Sequence, residues 1–338
     1  MSTIFQFIGL FAISNLIEQS IACSGWGHVD SGKPDNAGNV ILVKNRDETA
    51  APQYVELVKY ESGYSYIGLF LKNSDGSFAP KAGVNEIGLV MTSLSESTQL
   101  EAPHMCPGDR SASDIIKDTL LHHDSVEDVK GSAKSLFSKA APAFYMLADK
   151  KEIIYVEIAP KPQGKCNTSG TTTNEYSITT QDDNGYIMHT NHYNVSGKFS
   201  QYNVKPYPST YSRLDMLKTL LGSDKNTNTI EQYLAYAHDQ TNGPNDSLFR
   251  YNVGNDLEQT LATWIVQIPQ DGSAPILDVT LYQNVEVSNN VAEIKESVHK
   301  QVILTPDVFR SFEPLLGNTE ICVNKEVDGS MVRGQDEL

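Results

Sequence analysis

The chain has 338 residues, with 26 Lys and Arg against 42 Asp and Glu, a formal net charge of −16 and 39% hydrophobic residues. That is enough apolar chain for one large core, and 23 Gly with 15 Pro spread without a period exclude collagen-like, coiled-coil and broadly disordered architectures. The acid excess also excludes a surface that binds nucleic acid by neutralising phosphates, and it obliges any anionic substrate to find a local basic site.

Residues 1–22, MSTIFQFIGLFAISNLIEQSIA, carry no charged side chain before Glu18 and run apolar from Ile4 to Ile17 apart from Gln6, Ser14 and Asn15. The run is too short and too interrupted to span a bilayer. Ser20 and Ala22 stand at the −3 and −1 positions of a signal-peptidase site, so cleavage after Ala22 would release a chain that begins at Cys23. The competing readings are a buried first element of the domain and, more remotely, a lipoprotein signal.

The chain contains Cys23, Cys106, Cys166 and Cys322 and no CxxC pair, so a zinc site of the usual spacing is not expected. With Cys23 at a new amino terminus, three cysteines remain for one disulfide and one thiol, and the sequence leaves the pairing open. A free amino-terminal Cys has a chemical property of its own. Its α-amine, with a reference pKa of about 7.7–8.0, is able to take the proton of its own thiol, whose reference value is about 8.5.

The segment CSGWGHVDSGKPDNAGNVILVKNRDE, residues 23–48, reads as a short strand, a Gly/Asn/Pro turn region over 31–39, and an apolar strand over 40–43 that ends in Lys44-Asn45-Arg46-Asp47. A hairpin would bring that charged end beside Cys23. Strand-like runs follow at 54–60, 64–71, 88–94, 143–147, 153–158, 263–268 and 276–282, with a hairpin tip at Asp149-Lys150-Lys151. Helical patterns occupy 113–122, 125–138, 211–221 and 230–237, the second opening with a capping-box-like Ser125-x-x-Asp128. Beyond Glu286 the one clear element is a helix start at Thr305-Pro306. No linker or repeat divides the chain, so residues 23–338 read as a single domain.

A Cys exposed by cleavage, followed some twenty residues later by an apolar strand ending in basic-Asn-x-Asp, resembles the amino-terminal nucleophile (Ntn) hydrolases. The likeness is to the branch that holds penicillin acylases, choloylglycine hydrolases and isopenicillin-N acyltransferases. Further segments match in the family's order: KAGVNEIGLVMTSLS at 81–95, MHTNHY at 188–193, STYSRLDML at 209–217 and LATWIVQIP at 261–269. The resemblance implies an α+β fold, a four-layer αββα sandwich of two packed antiparallel sheets covered by helices. It also implies that Cys23 is the nucleophile, Asp47 the partner of the α-ammonium or thiol, and Asn191, with a backbone N–H near Ser95, the oxyanion-hole donor. Arg213 would be a fixed charge near the thiol. Two positions depart from the choloylglycine pattern. Lys44 stands where those enzymes carry Arg, and strand alternation sets Arg46 two residues along on the same face; Ser95 stands where they use an oxyanion Asn.

The expectation is therefore a cysteine Ntn hydrolase of linear amide C–N bonds, acting on a small N-acyl amide or N-acyl amino acid through a thioester. Acyl transfer to an amine is the first alternative, and a catalytically idle lumenal binding glycoprotein is the second. No metal or organic cofactor is expected, since His122-His123 and His189/His192 lack a third ligand at workable spacing. The other expected partners are no nucleic acid, no stable membrane span and, without a sequence feature that decides it, a homo-oligomer. Gln335, Asp336, Glu337 and Leu338 resemble an endoplasmic-reticulum retrieval signal, and with sequons at Asn167, Asn194 and Asn245 they favour a lumenal, secretory-pathway location.

Overall fold

The computed structural model describes residues 23–311 except 31–37, 50, 61, 73–76, 99–108, 161–172, 205, 224–228, 252–257 and 289–290. Residues 1–22, Asn167, the tetrapeptide 335–338 and Cys106, Cys166 and Cys322 lie outside the described residues.

Thirteen strands and five helices are described, in the order β1 (Cys23–Val29), β2 (Asn39–Thr49), β3 (Gln53–Val58), β4 (Tyr66–Lys72), β5 (Phe78–Asn85), β6 (Val90–Leu94), α1 (Ala112–His122), α2 (Val126–Phe137), β7 (Phe144–Ala148), β8 (Ile153–Ile158), β9 (Tyr176–Thr180), β10 (Tyr186–His189), α3 (Pro208–Ser223), α4 (Ile230–Ala237), α5 (Gly243–Asp246), β11 (Glu258–Pro269), β12 (Ile276–Ser288) and β13 (Val291–Ile303). They form two antiparallel sheets, ordered β10-β1-β2-β11-β12-β13 and β3-β4-β5-β6-β7-β8-β9.

The sheets pack face to face over an apolar layer that includes Leu42, Val84, Val90, Met146, Ile153, Trp264 and Leu277. The outer face of the seven-stranded sheet buries Met91, Tyr145, Leu147 and Val156 against Ile115, Ile116 and Leu120 of α1 and Val129 and Phe137 of α2. The outer face of the six-stranded sheet buries Trp26, Ile41, Val43 and Ile265 against Leu217 of α3 and Ile230 and Tyr233 of α4. The result is the expected αββα order. Strands covered on both faces read as continuous apolar runs, which is why Val40, Ile41, Leu42 and Val43 are all fully buried.

The helix starts follow from capping chemistry. Ser111 and Asp114 exchange bonds in a complete capping box at α1. At α2 only half of the expected box forms: Ser125 accepts from the Asp128 N–H, whereas the Asp128 carboxylate pairs with His123 Nδ1 at 2.7 Å. In β1, Gly27 has no substitute, because a Cβ there would collide with the main-chain oxygen of Ile41 on the neighbouring strand.

Two expectations for the carboxyl-terminal third are corrected. Residues 306–310 form turns, not a helix, and β13 is a long strand where no element was read. The cause is visible in VAEIKESVHKQVI. Its apolar Ile294, Val298 and Val302 recur every fourth residue, a spacing that fits a helix as well as a strand, and Glu and Lys, which have poor strand propensity, fill much of the rest. Pairing with β12 decides the conformation. The strands β5 and β9 were also not read, and β11 and β12 are longer than their apolar cores.

Candidate active site

The β1–β2 ladder sets Cys23 opposite Arg46, Ser24 opposite Asn45 and Gly25 opposite Lys44. Directly opposed residues point to one face, so Cys23, Lys44 and Arg46 share the face between the sheets, and Ser24, Asn45 and Asp47 face the helical layer. The hairpin therefore brings Lys44-Asn45-Arg46-Asp47 beside Cys23 as expected, with the motif divided between two faces. Asn45 is the tie to the helices: its Nδ2 donates to the Ala237 and Leu248 carbonyls at 2.8 Å each.

Cys23 is buried, at 2% exposure. Its main-chain N–H donates to Asn191 Oδ1 at 2.9 Å, and its Sγ lies 3.9 Å from the Asp47 carbonyl oxygen. Arg213, fully buried in the first turns of α3, reaches both residues: Nη1 donates to the Cys23 carbonyl and to Ser24 Oγ at 2.7 Å each, and Nη2 donates to Asn191 Oδ1 at 2.9 Å. The side chain thus clamps the Cys23 main chain to Asn191. Burial lowers its pKa to about 10, partly offset by Asp47, so it remains charged at neutral pH.

Asn191 follows β10 and is held from three directions. Its Nδ2 donates to the Ser95 carbonyl at 2.8 Å, its N–H donates to Thr210 Oγ1 at 2.8 Å, and its carbonyl accepts from Ser97 N–H at 3.0 Å. Ser95 therefore takes part through its carbonyl, as an acceptor from Asn191. The neighbouring His192 shares this network through Nδ1, which lies 3.0 Å from Thr210 Oγ1 and 3.2 Å from Thr190 Oγ1. Burial, helped by His189 and Arg213, holds the His192 imidazole down to about 3 against an ordinary 6.5. The unfolded chain then binds a proton that the folded chain refuses between those values, so the His192 contribution to stability is intact above pH 6.5 and is lost as pH falls toward 3. Urea midpoints measured across that window should fall for the wild type and fall less steeply for His192→Asn.

Asp47 is fully buried opposite Thr260, next to a register shift between Thr260 and Ala262 of β11. Its Oδ1 accepts from Thr260 Oγ1 at 2.8 Å, and Oδ2 has no hydrogen-bond partner among the described residues. Burial raises its carboxyl above the ordinary value, opposed by the charges of Arg250 and Arg213. On the inter-sheet face, Lys44 Nζ donates to the Ser93 carbonyl and, at 3.1 Å, to the Lys81 carbonyl, so it braces one sheet against the other. Burial pushes Lys44 down to about 8, with the charge of Cys23 opposing the shift. Arg46 donates through Nε to Gln53 Oε1 at 2.7 Å, and its Nη1 lies 3.7 Å from Glu48 Oε2.

Of the residues named from the sequence for the chemistry, Cys23, Lys44, Arg46, Asp47, Asn191 and Arg213 fall in this neighbourhood, and Ser95 joins it through its carbonyl. Ser24, Lys81, Thr210 and Thr260 were not named. Ser24 had a signal, since a residue after a strand nucleophile faces the opposite layer; Thr210 and Thr260 are brought in by contacts that no local pattern encodes. His189 pairs with Glu157 at 3.1 Å, and among the described residues no group of three His, Cys, Asp or Glu side chains converges to hold a metal. No helix among them is long and apolar enough to cross a membrane. Of the described sequons, Asn194 Nδ2 donates to Tyr155 Oη at 2.7 Å and Asn245 is half-buried.

The two packed sheets with helices on their outer faces are the αββα sandwich of the Ntn hydrolases. No curated protein matches the sequence. Among solved structures, a mutant conjugated bile acid hydrolase from Clostridium perfringens aligns with a TM-score of 0.43 at 12% identity, covering 83% of this chain and 98% of that one. A second variant of that hydrolase aligns with a TM-score of 0.40 at 11% identity, with coverage of 83% and 98%. The family model described as acyl-coenzyme A:6-aminopenicillanic acid acyl-transferase matches residues 33–278. This match spans most of the chain, from the β1–β2 turn region into β12, and the protein belongs to that acyl-transferase family.

Proposed function

We propose that the protein is a cysteine amidase that cleaves linear, non-peptide C–N bonds of N-acyl amides or N-acyl amino acids, with Cys23 as an amino-terminal nucleophile freed by cleavage after Ala22. The observation that carries this reading is the double hold on Cys23. Its nitrogen lies on Asn191 Oδ1 and its carbonyl on Arg213, so a cut before residue 23 leaves an α-amine already oriented beside its own thiol. The leader and the QDEL terminus support a lumenal location for that cleavage.

In the proposed reaction the α-amine takes the thiol proton and the thiolate attacks the acyl carbon, forming the C–S bond. Asn191, through Nδ2, stabilises the oxyanion. As the C–N bond breaks, the α-ammonium gives its proton to the departing amine. Water then attacks the thioester, its proton passing through the α-amine back to sulfur, and the carboxylic acid leaves. Asp47 Oδ2 is the acceptor assigned to the α-ammonium, which explains why a carboxylate is buried there without a second partner. Family membership favours one other outcome on the same thioester, attack by an amine in place of water.

The test is to trap the acyl-enzyme. Mature protein incubated with a panel of N-acyl amides and quenched in acid should carry an acyl group on Cys23, labile to hydroxylamine, and Cys23→Ala should carry none. Amide cleavage that persists in Cys23→Ala would refute the reading. Acid formation that drops as an added amine is acylated would identify transfer.

A further inference from the structure

Asn191 stands in the irregular stretch that follows β10, where no strand ladder fixes the backbone. Its neighbours are anchored on two sides. Thr190, Asn191 and His192 bond to Thr210 in the first turn of α3. His189, Tyr193 and Asn194 bond instead to β8 of the facing sheet. His189 Nε2 and the Asn194 N–H both donate to Glu157 Oε1, at 3.1 and 2.6 Å. Tyr193 Oη donates to the Ile158 carbonyl at 2.8 Å, and Asn194 Nδ2 donates to Tyr155 Oη at 2.7 Å. One carboxylate therefore grips the chain on either side of Asn191.

Glu157 and His189 are 1% and 4% exposed. The His189 ring centroid lies 4.4 Å from that of Phe144 and 4.7 Å from that of Tyr155, and its Nδ1 lies 2.7 Å from the Thr190 carbonyl oxygen. A carbonyl and a carboxylate have no hydrogen to offer, so both ring nitrogens donate and the ring is an imidazolium. Glu157 Oε2 accepts from Ser177 Oγ of β9 at 3.2 Å. Burial pushes the Glu157 carboxyl up, but His189 and the Asn194 and Ser177 donors outweigh it and hold it below the ordinary value. A buried ion pair returns little net stability, because both ions give up water. The bonds of this one converge on the short stretch that carries Asn191.

We infer that Glu157 is a positioning residue for the reaction: through His189 and the Asn194 N–H it holds residues 189–194 so that the Asn191 amide keeps its place against Cys23. This rests on Cys23 as nucleophile and Asn191 as oxyanion donor. Glu157→Gln is the isosteric variant. It keeps an oxygen for the Asn194 N–H and removes the charge that holds the second proton on His189, so a neutral ring donates to Thr190 or to residue 157 and not to both.

The ester para-nitrophenyl acetate tests this without knowledge of the natural substrate. The Cys23 thiolate takes its acetyl group, forming a C–S bond as the C–O bond to para-nitrophenolate breaks. Release in excess of that by Cys23→Ala is followed over ester concentration for mature wild type, Glu157→Gln, Asn191→Ala and the double variant, with thermal melts beside it. In Glu157→Gln the limiting acylation rate should fall about tenfold or more, with the half-saturating concentration within about twofold of wild type. In the Asn191→Ala background the same substitution should change that rate by less than about twofold, since a role exerted through Asn191 vanishes with it. Tyr155→Phe, which deletes the acceptor of Asn194 Nδ2, should lower the wild-type rate by about threefold and stands in if Glu157→Gln does not fold. An unchanged rate in Glu157→Gln, or in Tyr155→Phe as its stand-in, or an equal fall in both backgrounds, would overturn the positioning role and leave Cys23 and Asn191 standing. A wild-type rate in Asn191→Ala, or wild-type release no faster than that of Cys23→Ala, would overturn both.

Discussion

Arg213→Leu should lower kcat/KM by on the order of 10³-fold, about 4 kcal/mol of transition-state stabilisation, and should also lower folding stability by about 3–5 kcal/mol. The reason is the number of groups that depend on one guanidinium. Arg213 bonds the Cys23 carbonyl, Ser24 Oγ and Asn191 Oδ1, and its charge opposes that of buried Asp47. Removing it leaves a buried carbonyl, an amide oxygen short of a donor, and a carboxyl whose pKa climbs further with one of its two opposing arginines gone. Arg213→Lys separates charge from geometry. A lysine restores the charge but presents a single point, so it cannot reach the Cys23 carbonyl and Asn191 together. Stability should recover in part while kcat/KM stays close to that of the leucine variant. Thermal melts and initial rates on the same preparations check both halves; a lysine variant with near wild-type kcat/KM would show that the two-point clamp is unnecessary.

Asn191→Ala should reduce kcat by about 10²–10³-fold, the usual cost of losing an oxyanion donor, with a smaller change in KM. Asn191→Asp is the more informative partner. An aspartate retains acceptors for the Cys23 nitrogen and Arg213, but it places an oxygen against the Ser95 carbonyl that now accepts from Nδ2 at 2.8 Å. If the residue served only to hold Cys23, the aspartate would retain most activity. The account predicts a loss as large as for alanine, because a carboxylate has no hydrogen to offer an oxyanion. Michaelis profiles of the three proteins on one substrate decide between these outcomes.

The parts of this site that were legible in the sequence are those made by neighbouring strands. Cys23 and Lys44-Asn45-Arg46-Asp47 belong to one hairpin, and strand alternation alone gives their faces. Asn191 and Arg213 lie 168 and 190 residues from Cys23 along the chain, and only a family resemblance pointed to them. What was not legible depends on register. Lys81 is the extra residue of a bulge in β5 that no propensity marks, and Thr260 faces Asp47 beside a second bulge, in β11. The departure at Lys44 is explained by the layers, since its ammonium spans the sheet interface to carbonyls on β5 and β6 and makes no fork. In the fold, strands with a continuous apolar run were visible; β9 and β13 were hidden by polar outward faces, and β5 by its Pro, Gly and small residues.

The central claim is that Cys23 works as a free amino-terminal residue. The direct measurement is the amino-terminal peptide of the protein expressed with its own leader, mapped by mass spectrometry without reduction. The account predicts a chain that begins at Cys23 with an unmodified amine and a free thiol. A terminus elsewhere, or a Cys23 that is acylated on nitrogen, lipidated or disulfide-bonded, would contradict it.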